Sequence, residues 1–186
     1  MSSETTSGVN DHPQFFVVSP KKLAIMSFFT FGLYWWFCFH RSWVLYRKVT
    51  GEPVLPLVRA LFPIIFLYPL MRRIDARIRQ SRLEYRWSPL VLTLLYLIGV
   101  GPLLLLDQGA WEHFFHIATM LLLTSHGVFI WVIVRIQCAI NFSEGDEQGL
   151  ANARLSLINW IWMLWGLLFW PSLVLLAVGS LMIGFY

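Results

Sequence analysis

The chain has 186 residues, of which 58% are hydrophobic and 13% charged, a balance that excludes an ordinary water-soluble domain with a charged shell. Its formal net charge is +4, yet the basic residues cluster beside apolar segments, which points to anionic headgroups and away from nucleic acid. The 2 cysteines, Cys38 and Cys138, match neither a disulfide framework nor a Cys/His metal pattern.

The opening stretch is rich in Ser, Thr and small polar residues and lacks the basic start and apolar run of a cleaved signal peptide. Residues 1–18 read as a disordered cytoplasmic tail and residues 19–186 as one membrane-embedded helical domain. Two short apolar segments follow. Residues 23–39 are broken by Gly32; residues 57–71 carry Arg59 near their start, with Pro63 and Pro69 removing backbone donors. Each is either a short span or a segment that dips into the bilayer and returns.

A helix needs about 20 apolar residues to cross a hydrocarbon core about 30 Å thick. Residues 89–106 and 117–134 meet that requirement, as does the run after Arg154, which carries no charge and is expected to kink at Pro171. The expected fold is therefore all-α: a polytopic integral membrane bundle with three spans plus two N-terminal short spans or re-entrant segments.

The cluster Arg72, Arg73, Arg77, Arg79, Arg82 and Arg86 places its segment in the cytoplasm. The N-terminus then lies inside, and the 107–112 turn and the C-terminus lie outside. If residues 23–39 crossed fully, Arg41, Arg47 and Lys48 would fall outside; if both uncertain segments dip and return, every Lys and Arg stays on one face. The charge rule favours the second arrangement, with five crossings as the alternative. Residues 33–49 read equally as an interfacial helix or as the emerging end of a crossing one. Residues 72–86 are expected to form a surface helix, with Ile74 and Ile78 on one side, Asp75 paired to Arg79, and the remaining Arg residues on anionic lipid.

Three sets of residues are candidate sites. His126 lies within an apolar helix, where an imidazole serves a proton relay or, more plainly, donates one hydrogen bond to a neighbouring helix. Glu112, His113 and His116 have the spacing of a weak metal site, although such residues are ordinary at an outer boundary. Arg59, Gln137, Asn141 and Asn159 form a candidate polar pocket for a headgroup or solute; the plainer reading is that they satisfy backbone freed by the broken segments. No catalytic motif is present in the sequence and no cofactor is implied, so the chain reads as a non-enzyme, with intramembrane catalysis left open.

The run Ser19-Pro-Lys-Lys-Leu-Ala-Ile-Met-Ser-Phe-Phe-Thr-Phe-Gly-Leu-Tyr-Trp-Trp resembles the opening of uncharacterised bacterial inner-membrane proteins related to the domain of unknown function 4234. Pro53-Val-Leu-Pro-Leu-Val-Arg-Ala-Leu-Phe, Gln137-Cys-Ala-Ile-Asn141 and Asn159-Trp-Ile-Trp are similar to further pieces of such proteins; Phe37-Cys38-Phe39-His40 departs from the expected Trp- or Tyr-rich stretch. The resemblance implies a multi-pass protein of the bacterial cytoplasmic membrane and carries no activity. The expected function is an accessory or scaffold protein that binds anionic lipid, a membrane-protein partner or a second copy of itself; a small channel or transporter is the alternative.

Overall fold

In the computed structural model, residues 13–81, 84–105 and 115–183 are described. Most of these residues are helical and no strand is found among them. Seven α-helices lie among the described residues: α1 (Pro20–Phe29), α2 (Leu33–Thr50), α3 (Pro56–Leu61), α4 (Pro63–Gln80), α5 (Pro89–Leu105), α6 (Phe115–Ser143) and α7 (Leu157–Ile183), with a short 3-10 turn at Leu150–Asn152 before α7.

Helices α1 and α2 form a hairpin. Phe31 and Gly32 hold positive φ values of 49° and 87°, a conformation that suits glycine and stops α1. The loose backbone ends are bridged by Thr30, whose hydroxyl donates to the Met26 carbonyl at 2.7 Å and accepts the Tyr34 N–H at 3.1 Å. A Cβ on Gly32 would meet the Phe129 ring of α6 at 3.0 Å, so the tip of the hairpin sits halfway along that helix. Both ends lie further along it. Ahead of α1, the Phe16 carbonyl accepts from Gln137 of α6, and the Phe16 N–H donates to Ser42 Oγ of α2 at 3.3 Å. The chain thus leaves the Gln137 end of α6, turns near Phe129 and comes back.

Helices α3 and α4 repeat the manoeuvre. Pro56 and Pro63 each open a helix, where a missing N–H costs nothing and the fixed φ helps. The break at Phe62 lies beside α2, where Trp36 Nε1 donates to the Ala60 carbonyl at 2.7 Å. Helix α4 then returns until Arg73 reaches Glu52, ahead of α3, and Arg77 reaches Glu144, just past α6. Pro69 lies inside α4. The expected helix over residues 72–86 stops at Gln80, because Ser81 caps the last turn with its N–H on the Arg77 carbonyl and residues 84–88 are not helical.

Helices α5 and α6 share the most extensive helix interface. A Cβ on Gly99 would lie 3.0 Å from the Phe129 backbone, so the absence of a side chain there lets the two helices approach. Helix α6 runs on past Arg135, which is exposed while Ile136, Gln137 and Ile140 are buried. Helix α7 crosses α1 at Gly166, whose hypothetical Cβ would fall 2.2 Å from the Phe29 carbonyl oxygen. Pro171 lies within α7.

The core is concentrated at the Gln137 end, where Phe39 and Trp43 of α2, Leu70 and Ile74 of α4, and Ile133 and Ile136 of α6 are all buried. Helix α2 packs into this core by one face, burying Trp35, Cys38, Phe39, Ser42, Trp43 and Tyr46 and leaving Trp36, Phe37, Arg47 and Lys48 exposed. Residues 15–18 join this core: Phe15 and Val18 are fully buried, which corrects the reading of that stretch as disordered tail. Residues 1–12 of the expected tail are outside the described part.

Candidate functional site

The most unusual constellation lies where the two hairpins meet. Trp43, fully buried, carries two guanidinium groups on its ring, Arg59 of α3 at 4.1 Å and Arg73 of α4 at 5.3 Å from the centroid. Arg59 also approaches Phe66 at 5.4 Å, and Arg73 approaches Tyr46 at 5.0 Å. A guanidinium stacked face-on over an aromatic ring keeps its in-plane N–H donors for other partners.

Those donors are used unequally. Arg73 donates from Nη2 to Glu52 Oε2 at 3.3 Å and from Nη1 to the Pro69 carbonyl at 3.3 Å. Arg59 makes no hydrogen bond or ion pair among the described residues, and its Nη1 is buried without a partner. Among the described residues Glu52 is the one carboxylate bonded within this cluster, and it also accepts the Tyr46 hydroxyl. That hydroxyl, and then the Arg73 guanidinium, hold the Glu52 carboxyl below its ordinary pKa. The cluster carries two cations against one anion, with a surplus of donors.

A second charged group is closed upon itself. Arg77 donates from Nη2 to Glu144 at 3.1 Å, from Nη1 to Gln14 Oε1 at 2.8 Å and from Nε to the Ser143 carbonyl at 3.3 Å. The Glu144 side chain is 2% exposed and also receives the Gln14 N–H at 3.0 Å. Burial pushes its carboxyl upward in pKa against the pull of Arg77. Arg77, read from sequence as a headgroup contact, therefore ties α4 to the end of α6 and to the N-terminal strap. Arg79 pairs with Asp75 at 2.9 Å, and Asp75 also accepts the Trp87 indole N–H at 3.1 Å. Arg72 and Arg86 are exposed.

Of the expected polar pocket, only Gln137 and Asn141 come together. Gln137 Nε2 donates to the Phe16 carbonyl at 2.9 Å and to Asn141 Oδ1 at 2.8 Å; Asn141 Nδ2 donates to the Val18 carbonyl at 2.9 Å. The pair fastens the strap of residues 15–18 to α6. Asn159 stands elsewhere, its Oδ1 accepting the Ser156 N–H at 3.0 Å while Ser156 Oγ accepts the Asn159 N–H at 3.4 Å. This is a capping box at the start of α7. Lys22 has a similar structural use, donating to Asn152 Oδ1 and to the Arg154 carbonyl, both at 2.7 Å.

His126 faces the tip of the first hairpin. Its ring lies 5.8 Å from Phe31, 5.7 Å from Trp170 and 6.1 Å from Phe129, and its Nε2 is buried without a partner. The Phe28 carbonyl, close to the end of α1, accepts the Trp170 indole N–H at 3.3 Å. Glu112, His113 and Arg82 lie outside the described residues, as does the side chain of His116. Among the described residues no cluster of His, Cys, Asp and Glu has the makings of a metal site. Comparison with protein-family models, with curated proteins and with solved structures yields no match.

Proposed function

We propose that the chain is a multi-pass membrane protein that serves as a non-enzymatic accessory or scaffold and binds anionic lipid at its basic end. One observation carries this reading. The 27-residue stretch Ile117–Ser143 of α6 contains an 18-residue window with a mean hydropathy of 2.1, yet only 33% of that window is buried. A core helix of a water-soluble protein is mostly buried; an apolar helix exposed over most of its surface needs an apolar solvent. Among the described residues this is the one helix long and apolar enough to cross a membrane on its own measure, and Pro89–Pro102 is apolar but shorter. Helix α7 supports the same solvent, with Trp162, Leu164, Trp165, Leu167 and Leu168 all exposed.

In this reading α5, α6 and α7 cross, while the two hairpins dip from the basic end and return to it. Lys22, Arg73 and Arg77 then share one face with the loop from Glu144 to Arg154, and the exposed Arg72 and Arg86 meet headgroups there. That face is cytoplasmic by the positive-inside rule, and the resemblance of the opening run implies a bacterial cytoplasmic membrane. A transport path has less support, because the amides of Gln137 and Asn141 are committed to each other and to backbone.

Labelling of single cysteines, introduced after Cys38 and Cys138 are replaced by Ala, tests the arrangement. Lys48→Cys and Arg72→Cys are expected to react only from the cytoplasmic side of intact cells. Reaction of Lys48→Cys from outside would show that α1 and α2 cross, and reaction of Arg72→Cys from outside would overturn the orientation.

A further inference from the structure

The arginine pair on Trp43 has the chemistry of an anion site, and we propose that Arg59 and Arg73 bind a phosphate group there, with Glu52 as its built-in competitor. The inference rests on the membrane reading above and deepens it by naming the place and the ligand class.

Three features converge. The central carbons of both guanidiniums lie over the Trp43 ring, at 4.1 Å and 5.3 Å from its centroid, a contact that consumes none of their N–H donors. Arg59 spends none of its donors on the described residues, although it is partly buried on a fully buried indole. An arginine with no anion is a poor choice for such a position on stability grounds alone, because desolvation is incurred with no hydrogen bond in return. The single carboxylate, Glu52, answers one cation, and it shares itself between Arg73 and the Tyr46 hydroxyl. A phosphate matches what is left over: its several oxygens accept from two forks at once, as one carboxylate already engaged by Tyr46 does not.

The surroundings favour a phosphate attached to something apolar. Leu55, Val58, Leu61 and Phe62 flank Arg59 along α3 and are all exposed, so acyl chains would find an apolar surface beside the guanidiniums. The shared chemistry, however, is the phosphate, whether it belongs to a lipid headgroup or is free in solution.

Native mass spectrometry of the full chain in detergent micelles, titrated with phosphatidylglycerol, phosphatidylcholine or inorganic phosphate, separates these cases. The wild-type chain is expected to bind a first phosphatidylglycerol more tightly than phosphatidylcholine. Arg59→Gln is expected to weaken that binding by about tenfold or more, Arg59→Lys to weaken it less, and Glu52→Gln to strengthen it. Arg135→Gln, which makes the same change in net charge on an exposed residue of α6, controls for general electrostatics. Arg59→Lys keeps the charge and the apolar stem, so it reports loss of the fork even if the Gln variant folds poorly. Displacement of phosphatidylglycerol by millimolar inorganic phosphate would support the site and assign it to free phosphate as well; no displacement would support a lipid ligand. Equal binding by the Arg59→Gln, Arg59→Lys and Arg135→Gln variants would overturn the proposal, whatever cysteine labelling says of the topology.

Discussion

Replacing Asn141 by Leu keeps most of the side-chain volume and removes every polar contact the side chain makes. The Val18 carbonyl, 2.9 Å from Asn141 Nδ2 and beside a fully buried side chain, loses its donor. A buried acceptor left unpaired costs about 1–3 kcal/mol. The contact from Asn141 Nδ2 to the Glu147 carbonyl, at 3.4 Å, is long and adds little. Gln137 loses Asn141 Oδ1 at 2.8 Å but keeps the Phe16 carbonyl at 2.9 Å. Removing the amide's own desolvation offsets part of the loss, so the net effect on holding the strap is about 1–3 kcal/mol. That corresponds to opening of the strap roughly 5- to 150-fold more often. Hydrogen exchange of the N–H groups of residues 15–19, followed by mass spectrometry in micelles, reads this directly. Exchange there is expected to accelerate by such a factor, with the α5–α6 interface little changed. Unaltered protection of residues 15–19 would refute the assignment of Asn141 as the fastening. Asn159→Leu is the natural comparison: it breaks the Ser156 capping box, costs about 0.5–1 kcal/mol at the start of α7, and leaves the strap alone.

Two further outcomes follow from close contacts elsewhere. Gly166→Val places a side chain against the Phe29 carbonyl, where even a Cβ would be at 2.2 Å, so α7 must shift away from α1; the melting temperature is expected to fall by the equivalent of about 1–3 kcal/mol, and an unchanged melting temperature would show that the two helices do not pack at this point. Arg77→Met leaves the 2%-exposed Glu144 carboxylate without its cation and is expected to cost about 3–5 kcal/mol near neutral pH. Burial already raises the Glu144 pKa and Arg77 opposes that rise, so without Arg77 the folded-state value moves further above the unfolded one. The folded chain then holds its proton where the unfolded chain has lost it. The defect should therefore ease as pH falls through the raised value and worsen as pH rises, and a melting temperature with no such trend would argue against the pair.

The features legible in the sequence were those written in local chemistry. Gly32 stops a helix because its φ of 87° suits a residue without Cβ, and Pro63, read as an interruption of the 57–71 segment, is where one helix ends and the next begins. The first turn of α5 opens at Pro89, where the apolar run begins. What escaped depends on partners distant in the chain. Phe15 and Val18 look like part of a polar tail until Gln137 and Asn141 are seen to hold their backbone. Arg59 and Trp43 stand 16 residues apart and meet only because α3 folds back on α2. Arg77 could not be separated from its neighbours without knowing that Glu144 lies opposite. Asn159 is a different kind of miss: Ser156 followed three residues later by an amide, ahead of an apolar run, is a helix-start signal that composition alone suffices to read.

The two hairpins also bear on how such a chain enters a bilayer. Carrying one Lys or Arg through the hydrocarbon centre costs about 2.5–3.5 kcal/mol on the insertion scale. A full crossing by residues 23–39 would export Arg41, Arg47 and Lys48 and then demand their counterparts back. In the proposed arrangement, with the tips at Gly32 and Phe62 dipping into the bilayer and the returning ends beside Phe16 and Glu52, the translocation machinery would have no cation of the N-terminal half to move. In the proposed orientation, what must be handed across is the α5–α6 hairpin and the uncharged end of α7, and the first 80 residues can settle into place from the side on which they were made.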